Sequence, residues 1–152
     1  MSQNLNQLAS CIIKATFLED QKVFREVEIL ANSSLEDLAG IIIEAYGFTM
    51  DHSYSFYDNL SNPSESKEVY VLDTLDDVEL PFIKHVSEVS VGEVFVLGKK
   101  LLFIFDYGED WEFEIEFLSK IENPESDRLP KVVKSVGDSP KQYADYDEGT
   151  GD

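Results

Sequence analysis

Carboxylates crowd one short stretch of the sequence, LLFIFDYGEDWEFEIEFL. Asp106, Glu109 and Asp110 surround a single glycine, so a turn there would bring the three acids together. Carboxylates that close can share a hard cation such as Mg²⁺ or Ca²⁺, and their repulsion can raise one pKa enough to create a general acid. With His52 they form the candidate catalytic set, and the three acids are also a weak candidate metal site. Their spacing does not match an EF-hand loop.

The same stretch also fits a structural role, which the sequence favours. Turns recruit aspartate because its side chain accepts hydrogen bonds from nearby backbone N–H groups. Asp106 and Trp111 flank Gly108, which can adopt positive φ, so a carboxylate bonded to backbone N–H or to the indole would close a hairpin. On this interpretation the protein needs no cofactor. The residues predicted to contact a partner are Tyr107, Gly108, Trp111, Arg128 and Lys131.

Other reactive side chains have plausible structural roles. His52 follows Asp51 at a predicted helix-to-strand junction, where it can be a base, a metal ligand or a half-exposed structural residue. Cys11 alternates with apolar neighbours, which is typical of a small buried hydrophobe. A third of the basic residues lie in one short segment, where pairing with the protein's own acids is favoured over binding a phosphate or an acidic partner. These residues are Arg128, Lys131, Lys134 and Lys141.

Two strands must position the turn. Residues 101–105 are apolar on both faces, which predicts a buried central strand. In the following strand, Trp111, Phe113, Ile115 and Phe117 are predicted to face inward, with the intervening glutamates facing water. The stretch is therefore predicted to be a hairpin with one wet face.

The N-terminal part predicts a second hairpin followed by a helix. CIIKATFLEDQKVFREVEIL predicts two strands around a polar connection, with a slip near Arg25. Ser33 and Glu36 fit a capping box at the helix N-terminus, and Gly47 fits the C′ position after its end. Gly40, inside the helix, indicates close packing against a sheet.

These elements predict an α+β fold. Two strands, a helix and a return strand near HSYSFYD match the opening of a β-grasp, the ubiquitin-like arrangement. The sequence therefore predicts one mixed sheet and one main helix. The first half of the sheet is β-grasp-like, and an antiparallel hairpin follows later in the chain. Its length predicts a single domain over residues 1–142, followed by an acidic disordered tail over residues 143–152.

Charge and composition exclude several classes of function. The 152 residues include 31 acidic and 12 basic side chains, which give a net charge of −19. This surface would repel phosphates, so we expect no direct nucleic-acid binding, and the field favours basic partners. No apolar run is long enough to span a bilayer, and the N-terminus lacks a signal-peptide pattern. With a single cysteine, the sequence predicts a cytoplasmic protein without membrane association.

Several motifs together resemble a known family. The helix ends in YGF and is followed by DHSYSF, FDYGEDWEFEI and LPKVVKSVGDSPKQY. This series resembles the Ri-plasmid open-reading-frame-three-like family, also labelled insertion-element passenger or TnpR-like, from about Ile13 to Asp147. The most specific part is Asp106 to Trp111. The resemblance implies an α+β fold with no settled activity and an association with mobile genetic elements.

The resemblance does not imply the recombinase chemistry of a resolvase. A serine recombinase needs arginines around its nucleophile and a basic DNA-binding segment, whereas this chain has two arginines and is strongly acidic. Relatives carry histidines where this chain has Tyr54 and Phe113. The resemblance therefore implies that only His52 remains of any shared histidine site, and a three-nitrogen metal site is not available.

The sequence predicts a non-enzymatic binding or interaction module, accessory to a mobile genetic element. Its predicted contact surface for a protein or peptide is a sheet edge together with the turn at residues 106–110. The alternative is a carboxylate-based, divalent-metal-dependent, hydrolase-like enzyme centred on Asp106, Glu109, Asp110 and His52. That alternative requires His52 to lie within hydrogen-bonding range of the turn carboxylates.

Overall fold

A computed structural model describes residues 9–73, 82–95 and 99–143. Within these ranges, one sheet has eight strands: β1 Ser10–Phe17, β2 Phe24–Leu30, β3 Tyr54–Tyr57, β4 Val69–Val71, β5 Ile83–His85, β6 Lys100–Phe105, β7 Trp111–Ile121 and β8 Lys131–Val136. The helices are α1 Leu35–Ala45 and the single turn α2 Val91–Val94, with 3₁₀ turns at Pro63–Glu65, Val86–Glu88 and Ser126–Arg128.

The strands lie in the order β5-β4-β3-β6-β7-β1-β2-β8. All neighbours are antiparallel except β4 and β5, which are parallel, so the predicted α+β class with a mixed sheet is confirmed. The β-grasp arrangement is not confirmed, because β1 lies between β2 and β7 and runs antiparallel to both. Within the described residues, no helix is long and apolar enough to cross a membrane.

The hairpin of β6 and β7 forms the centre of the sheet, as its apolar pattern predicts. Phe103 pairs with Phe113 and Leu101 with Ile115 across the two strands, and all four side chains are fully buried. Burying each such side chain stabilises the fold by about 1.5–3 kcal/mol. The alternating acids of β7 lie on the opposite face and are half-buried: Glu112, Glu114 and Glu116. This alternation gives the hairpin one core face and one polar face.

Helix α1 covers the core face of the sheet. Its N-cap is Ser34, whose hydroxyl accepts from the N–H of Asp37 while the Asp37 carboxylate accepts from the N–H of Ser34. The capping box is therefore one residue later than the predicted Ser33 and Glu36, a shift permitted by the consecutive serines and acids. Gly47 has φ of 72° just after the helix, as predicted for a C′ glycine.

Gly40 does not pack closely against the sheet, contrary to the prediction. A methyl group placed there would meet no heavy atom within 4 Å outside the neighbouring helix backbone. Gly40→Ala is therefore expected to stabilise the protein by about 1 kcal/mol, because glycine loses more backbone entropy in a helix than alanine. Urea unfolding followed by the fluorescence of the single tryptophan measures this change.

Gly92 provides the matched control for Gly40. A methyl group at Gly92 would lie 3.0 Å from the Ala31 carbonyl oxygen and 3.1 Å from its Cβ. Gly92→Ala is therefore expected to lower stability. If both variants lost stability, Gly40 would have a packing role after all.

The predicted slip near Arg25 is absent from the β1–β2 pairing but present in the β2–β8 pairing, where the register shifts between Glu26 and Val27. The β1–β2 register is unbroken from Ser10 opposite Leu30 to Thr16 opposite Phe24. Arg25 itself lies on the core face and is only 5% exposed, and partly buried oxygens surround its guanidinium.

Strand β8 extends the sheet within a segment that is rich in Pro, Ser and acidic residues. It pairs antiparallel with β2 and forms one edge of the sheet. The chain then turns back so that Tyr143, assigned by prediction to the acidic tail, contacts Asp51 and His52. Residues 144–152 lie outside the described residues, so the tail remains a prediction.

Candidate functional site

The 106–110 turn is built around the backbone of two aspartates. Asp106 has φ of 68° and Asp110 has φ of 55°, whereas Gly108, predicted to provide the positive φ, does not. Aspartate tolerates this conformation because its short side chain can bond locally. Asp106 Oδ1 accepts from the N–H groups of Gly108 and Glu109, at 3.1 and 3.4 Å. The predicted contact of a carboxylate with the turn backbone is therefore present.

Asp106 also connects the turn to the segment before β3. Its N–H donates to the carbonyl of Ser53 at 2.8 Å, and its Oδ2 lies 3.4 Å from Nε2 of His52. The Asp106 side chain is 8% exposed and that of His52 is 39% exposed. A buried carboxylate beside a half-exposed imidazole can orient the ring.

The other two turn acids do not join this pair. Glu109 and Asp110 are exposed, and within the described residues no side-chain hydrogen bond or ion pair connects them to His52. In residues 9–73, 82–95 and 99–143, no group of three or more His, Cys, Asp or Glu side chains is arranged to hold a metal ion. The structure therefore brings together Asp106 and His52 from the predicted catalytic set and leaves Glu109 and Asp110 at the surface.

The C-terminal segment, residues 139–143, supplies the remaining groups around His52. The Gln142 side chain bonds to both backbone groups of Thr49, accepting at 2.7 Å and donating at 3.0 Å, and also donates to Asp51 at 3.1 Å. The Tyr143 hydroxyl donates to Asp51 Oδ2 at 2.5 Å and lies 3.0 Å from Nε2 of His52. Sequence reasoning missed both residues, because no local spacing connects groups more than 90 positions apart.

The Tyr143 hydrogen bond sets the acidity of Asp51. That bond is the main cause that lowers the Asp51 pKa below its ordinary value of 3.8, with His52 and Gln142 also contributing. The same bond raises the pKa of Tyr143 to about 12. Because the folded pKa of Asp51 is depressed, its contribution to stability is present above the unfolded pKa and is lost as pH falls through the folded pKa.

Tyr143→Phe is expected to raise the pKa of Asp51 back toward 3.8, since the phenylalanine ring cannot donate to the carboxylate. A carbon-detected NMR titration of the Asp51 carboxyl measures the change. Tyr107→Phe removes a hydroxyl that contacts Ser55 instead and should leave the Asp51 pKa unchanged. An unchanged Asp51 pKa in Tyr143→Phe would show that the C-terminal segment does not bind there in solution.

Comparison with known proteins assigns the family. The family described as plasmid pRiA4b ORF-3-like protein matches residues 13–146. The chain belongs to this family. The crystal structure of protein of unknown function MM3350 from Methanosarcina mazei Go1 is similar in fold, with a TM-score of 0.69 and 15% identity. The similarity covers 84% of this chain and 69% of that one. No curated protein matches.

In this ORF-3-like chain, Tyr54 and Phe113 belong to the core. Tyr54 is 1% exposed and Phe113 is fully buried. Trp111 is half-buried and packs on Phe48 and Phe17, with ring centroids 5.1 and 6.0 Å away. Its indole N–H is buried and makes no hydrogen bond within the described part of the chain, so the predicted indole–carboxylate contact does not form.

The exposed aromatic of the turn is Tyr107. Its side chain is 51% exposed, while its hydroxyl hydrogen-bonds to the Ser55 hydroxyl on β3. Ser55 alternates with the core residues Tyr54 and Phe56, so this contact lies on the face of the sheet opposite α1. The Tyr107 ring is therefore held at its hydroxyl end and exposed along its side.

The basic residues of the C-terminal region lie near acids of the same ORF-3-like chain. Arg128 Nε is 3.7 Å from Glu125, with both side chains more than 70% exposed, and Lys131 Nζ is 4.0 Å from Glu28. The exposed Arg128–Glu125 pair contributes little to stability, typically about 0–1 kcal/mol, whereas the second pair joins a partly exposed lysine to the buried Glu28. Cys11 is buried, which raises the pKa of its thiol and fits its predicted structural role.

Proposed function

We propose that this ORF-3-like protein is a non-enzymatic binding module whose 106–110 turn recognises a basic peptide segment. The observation that carries the proposal is the turn itself. Tyr107 presents an anchored, half-exposed ring, and Glu109 and Asp110 expose their carboxylates next to it. An aromatic face beside carboxylates suits a lysine or arginine side chain, which gains cation–π and charge attraction together.

Rigidity supports this role for the turn. The Asp106 carboxylate and carbonyl accept hydrogen bonds from the backbone N–H groups of Gly108, Glu109 and Asp110, so the presenting backbone is ordered before any partner arrives. An ordered surface loses less conformational entropy on binding than a flexible one. The net charge of −19 adds a long-range attraction for basic partners.

An extended peptide could also continue from the turn to a free sheet edge. Within the described residues, β8 pairs only with β2, and Val132 and Val133 on it are exposed. Strand addition needs only free backbone groups, and it would supply affinity while the turn supplies specificity. A module of this kind can act as an accessory to a mobile genetic element, the role that the family resemblance implies.

The test is a binding titration with a fluorescent lysine- and arginine-rich peptide at low salt. Tyr107→Ala and the double variant Glu109→Gln/Asp110→Asn are each expected to weaken binding by about tenfold, because they remove the ring or the charge of the turn. The matched control, Glu65→Gln/Asp127→Asn, changes net charge equally at two other exposed acids. An equal loss of affinity in the control would show that the overall negative charge of the protein, and not the turn, attracts the peptide. Absence of binding would refute the proposal.

One observation favours a second candidate, the divalent-metal-dependent, hydrolase-like enzyme. The 3.4 Å separation of His52 Nε2 and Asp106 Oδ2 meets the requirement that the histidine lie near a turn carboxylate. His52 would then act as general base and Asp106 would orient it. Calorimetric titration with Mg²⁺, Ca²⁺, Mn²⁺ and Zn²⁺ distinguishes the candidates: micromolar binding that Asp106→Asn abolishes supports the enzyme, and no binding supports the module.

A further inference from the structure

A cavity of about 350 Å³ lies beside β4 and β5, at the edge of the sheet opposite β8. Its lining combines charged and aromatic side chains: Lys67, Glu68, Tyr70, Phe82 and Lys84. We propose that this cavity binds a small organic anion that carries a flat ring, such as an aryl phosphate or aryl carboxylate. This site is separate from the turn residues to which the proposed function refers.

The parallel pairing of β4 and β5 builds the lining. Tyr70 is the register partner of Lys84, and the N–H of Val69 donates to the carbonyl of Phe82 at 2.9 Å. Because side chains two positions apart share a face of a strand, Glu68 and Tyr70 lie beside Phe82 and Lys84. Tyr70 is 5% exposed and closes the inner wall, whereas Phe82 is 41% exposed.

The residues that line the cavity have a positive net charge, whereas the whole chain has a negative one. Two ammonium groups face one carboxylate here, although the whole chain has 31 acids and 12 bases. The Glu68 carboxylate is already engaged, since it accepts from the Tyr70 hydroxyl at 2.6 Å and lies 3.6 Å from Nζ of Lys99. Counted over its lining residues alone, the cavity therefore has a net charge of +1, while the carboxylates of Asp58 and Glu93 also act on Tyr70.

The two lining lysines are not paired with acids in the described ranges. Neither Lys67 nor Lys84 has a carboxylate within 4.0 Å there, and the nearby Asp58 accepts from the backbone N–H of Lys67. Lysines that line a concave surface are suited to binding an anionic group of a ligand.

The aromatic side chains of the lining favour a ligand that contains a ring. Exposed Phe82 and the wall formed by Tyr70 offer apolar surface next to the lysines, and a planar ring would bury it in an offset or edge-on contact. A volume of about 350 Å³ lies near the lower limit of ligand pockets, which favours a single-ring ligand over a larger one.

The experiment uses phenyl phosphate, inorganic phosphate and benzylamine as probes on the full chain, followed by ¹H–¹⁵N NMR. We expect phenyl phosphate to shift the amide signals of Phe82 and Lys84 in a saturable manner. Inorganic phosphate should bind more weakly because it lacks the ring, and benzylamine should not bind because its charge is opposite. Lys67→Met/Lys84→Met should weaken phenyl phosphate binding by about tenfold or more.

Lys22→Met/Lys120→Met is the matched control, since it removes two exposed lysines elsewhere. This control should leave the affinity within about twofold of the original protein, because surface charges at a distance are screened by salt. The proposal is overturned by unshifted signals at Phe82 and Lys84, by equal binding of phenyl phosphate and either other probe, or by equal losses in the two double variants.

Discussion

Arg25→Met is expected to lower the free energy of unfolding by about 3–4 kcal/mol, the largest effect of any single polar change considered for this protein. Methionine can fill the space of the arginine stem but has no hydrogen-bond donors. The loss therefore comes from the partly buried oxygens that accept hydrogen bonds from the guanidinium. Each buried acceptor left without a donor costs about 1–3 kcal/mol, and partial access to water reduces the sum.

The contacts of Arg25 join three parts of the fold. Its guanidinium donates to the carbonyls of Phe24 and Val136, both at 2.9 Å, and to the carbonyl of Ala45 at 3.2 Å. The last of these is the final residue of α1, where a cation is favoured by the helix dipole. The fourth bond, at 2.7 Å, goes to the Ser139 hydroxyl and so secures the start of the C-terminal segment.

The ring of Tyr46 adds a cation–π contact to the Arg25 site, with the guanidinium carbon 4.8 Å from the ring centroid. Unfolding in urea, followed by the fluorescence of Trp111, measures the effect of Arg25→Met. Arg128→Met is the matched control, because the side chain of the other arginine is 72% exposed and pairs only with Glu125 among the described residues. It should change stability by no more than about 0.5 kcal/mol. Similar losses in both variants would contradict the proposed role of Arg25.

Alternation along the strands made most of the central sheet predictable. The inward positions of β7 and the apolar β6 have the burial that their residues indicate, because β7 has one strongly apolar face and β6 is apolar on both faces. The same rule failed at Arg25. An arginine on a strand is normally placed on the wet face, yet here the helix end and β8 provide enough carbonyl oxygens to bury it.

The candidate site was only partly predictable, because it depends on contacts between distant segments. His52 and Asp106 are residue types that can act as acid or base, and the structure places His52 Nε2 3.4 Å from Asp106 Oδ2. Gln142 and Tyr143 lie at the predicted boundary between the domain and the acidic tail, and their partners become apparent only when β8 and Ser139 direct the chain back toward Asp51. Local pattern contains no information on that return path.

Asp106 is the second residue at which a large effect is expected. Asp106→Ala should lower the free energy of unfolding by about 3 kcal/mol, from two separate causes. First, alanine at φ of 68° is strained by about 1–2 kcal/mol, since its Cβ approaches the following carbonyl oxygen. Second, the N–H groups of Gly108 and Glu109 lose their carboxylate acceptor.

Two further substitutions separate these causes. Asp106→Gly removes the carboxylate but accepts positive φ without strain, so it should cost less than Asp106→Ala by about 1–2 kcal/mol. Asp106→Asn retains tolerance of positive φ and a side-chain oxygen for the turn N–H groups, and it should cost about 1 kcal/mol. The exposed Asp110 provides the control, because Asp110→Asn should change stability by no more than about 0.5 kcal/mol.

The order of the three Asp106 variants decides what this residue does. Urea unfolding of Asp106→Asn, Asp106→Gly and Asp106→Ala should give increasing losses in that order, because the side-chain oxygen and the backbone conformation both matter. Equal losses in all three would show that the negative charge beside His52 dominates, since only the charge is absent from every variant. The turn would then be held by its contact with the imidazole, and the structural role of the carboxylate within the turn would be refuted.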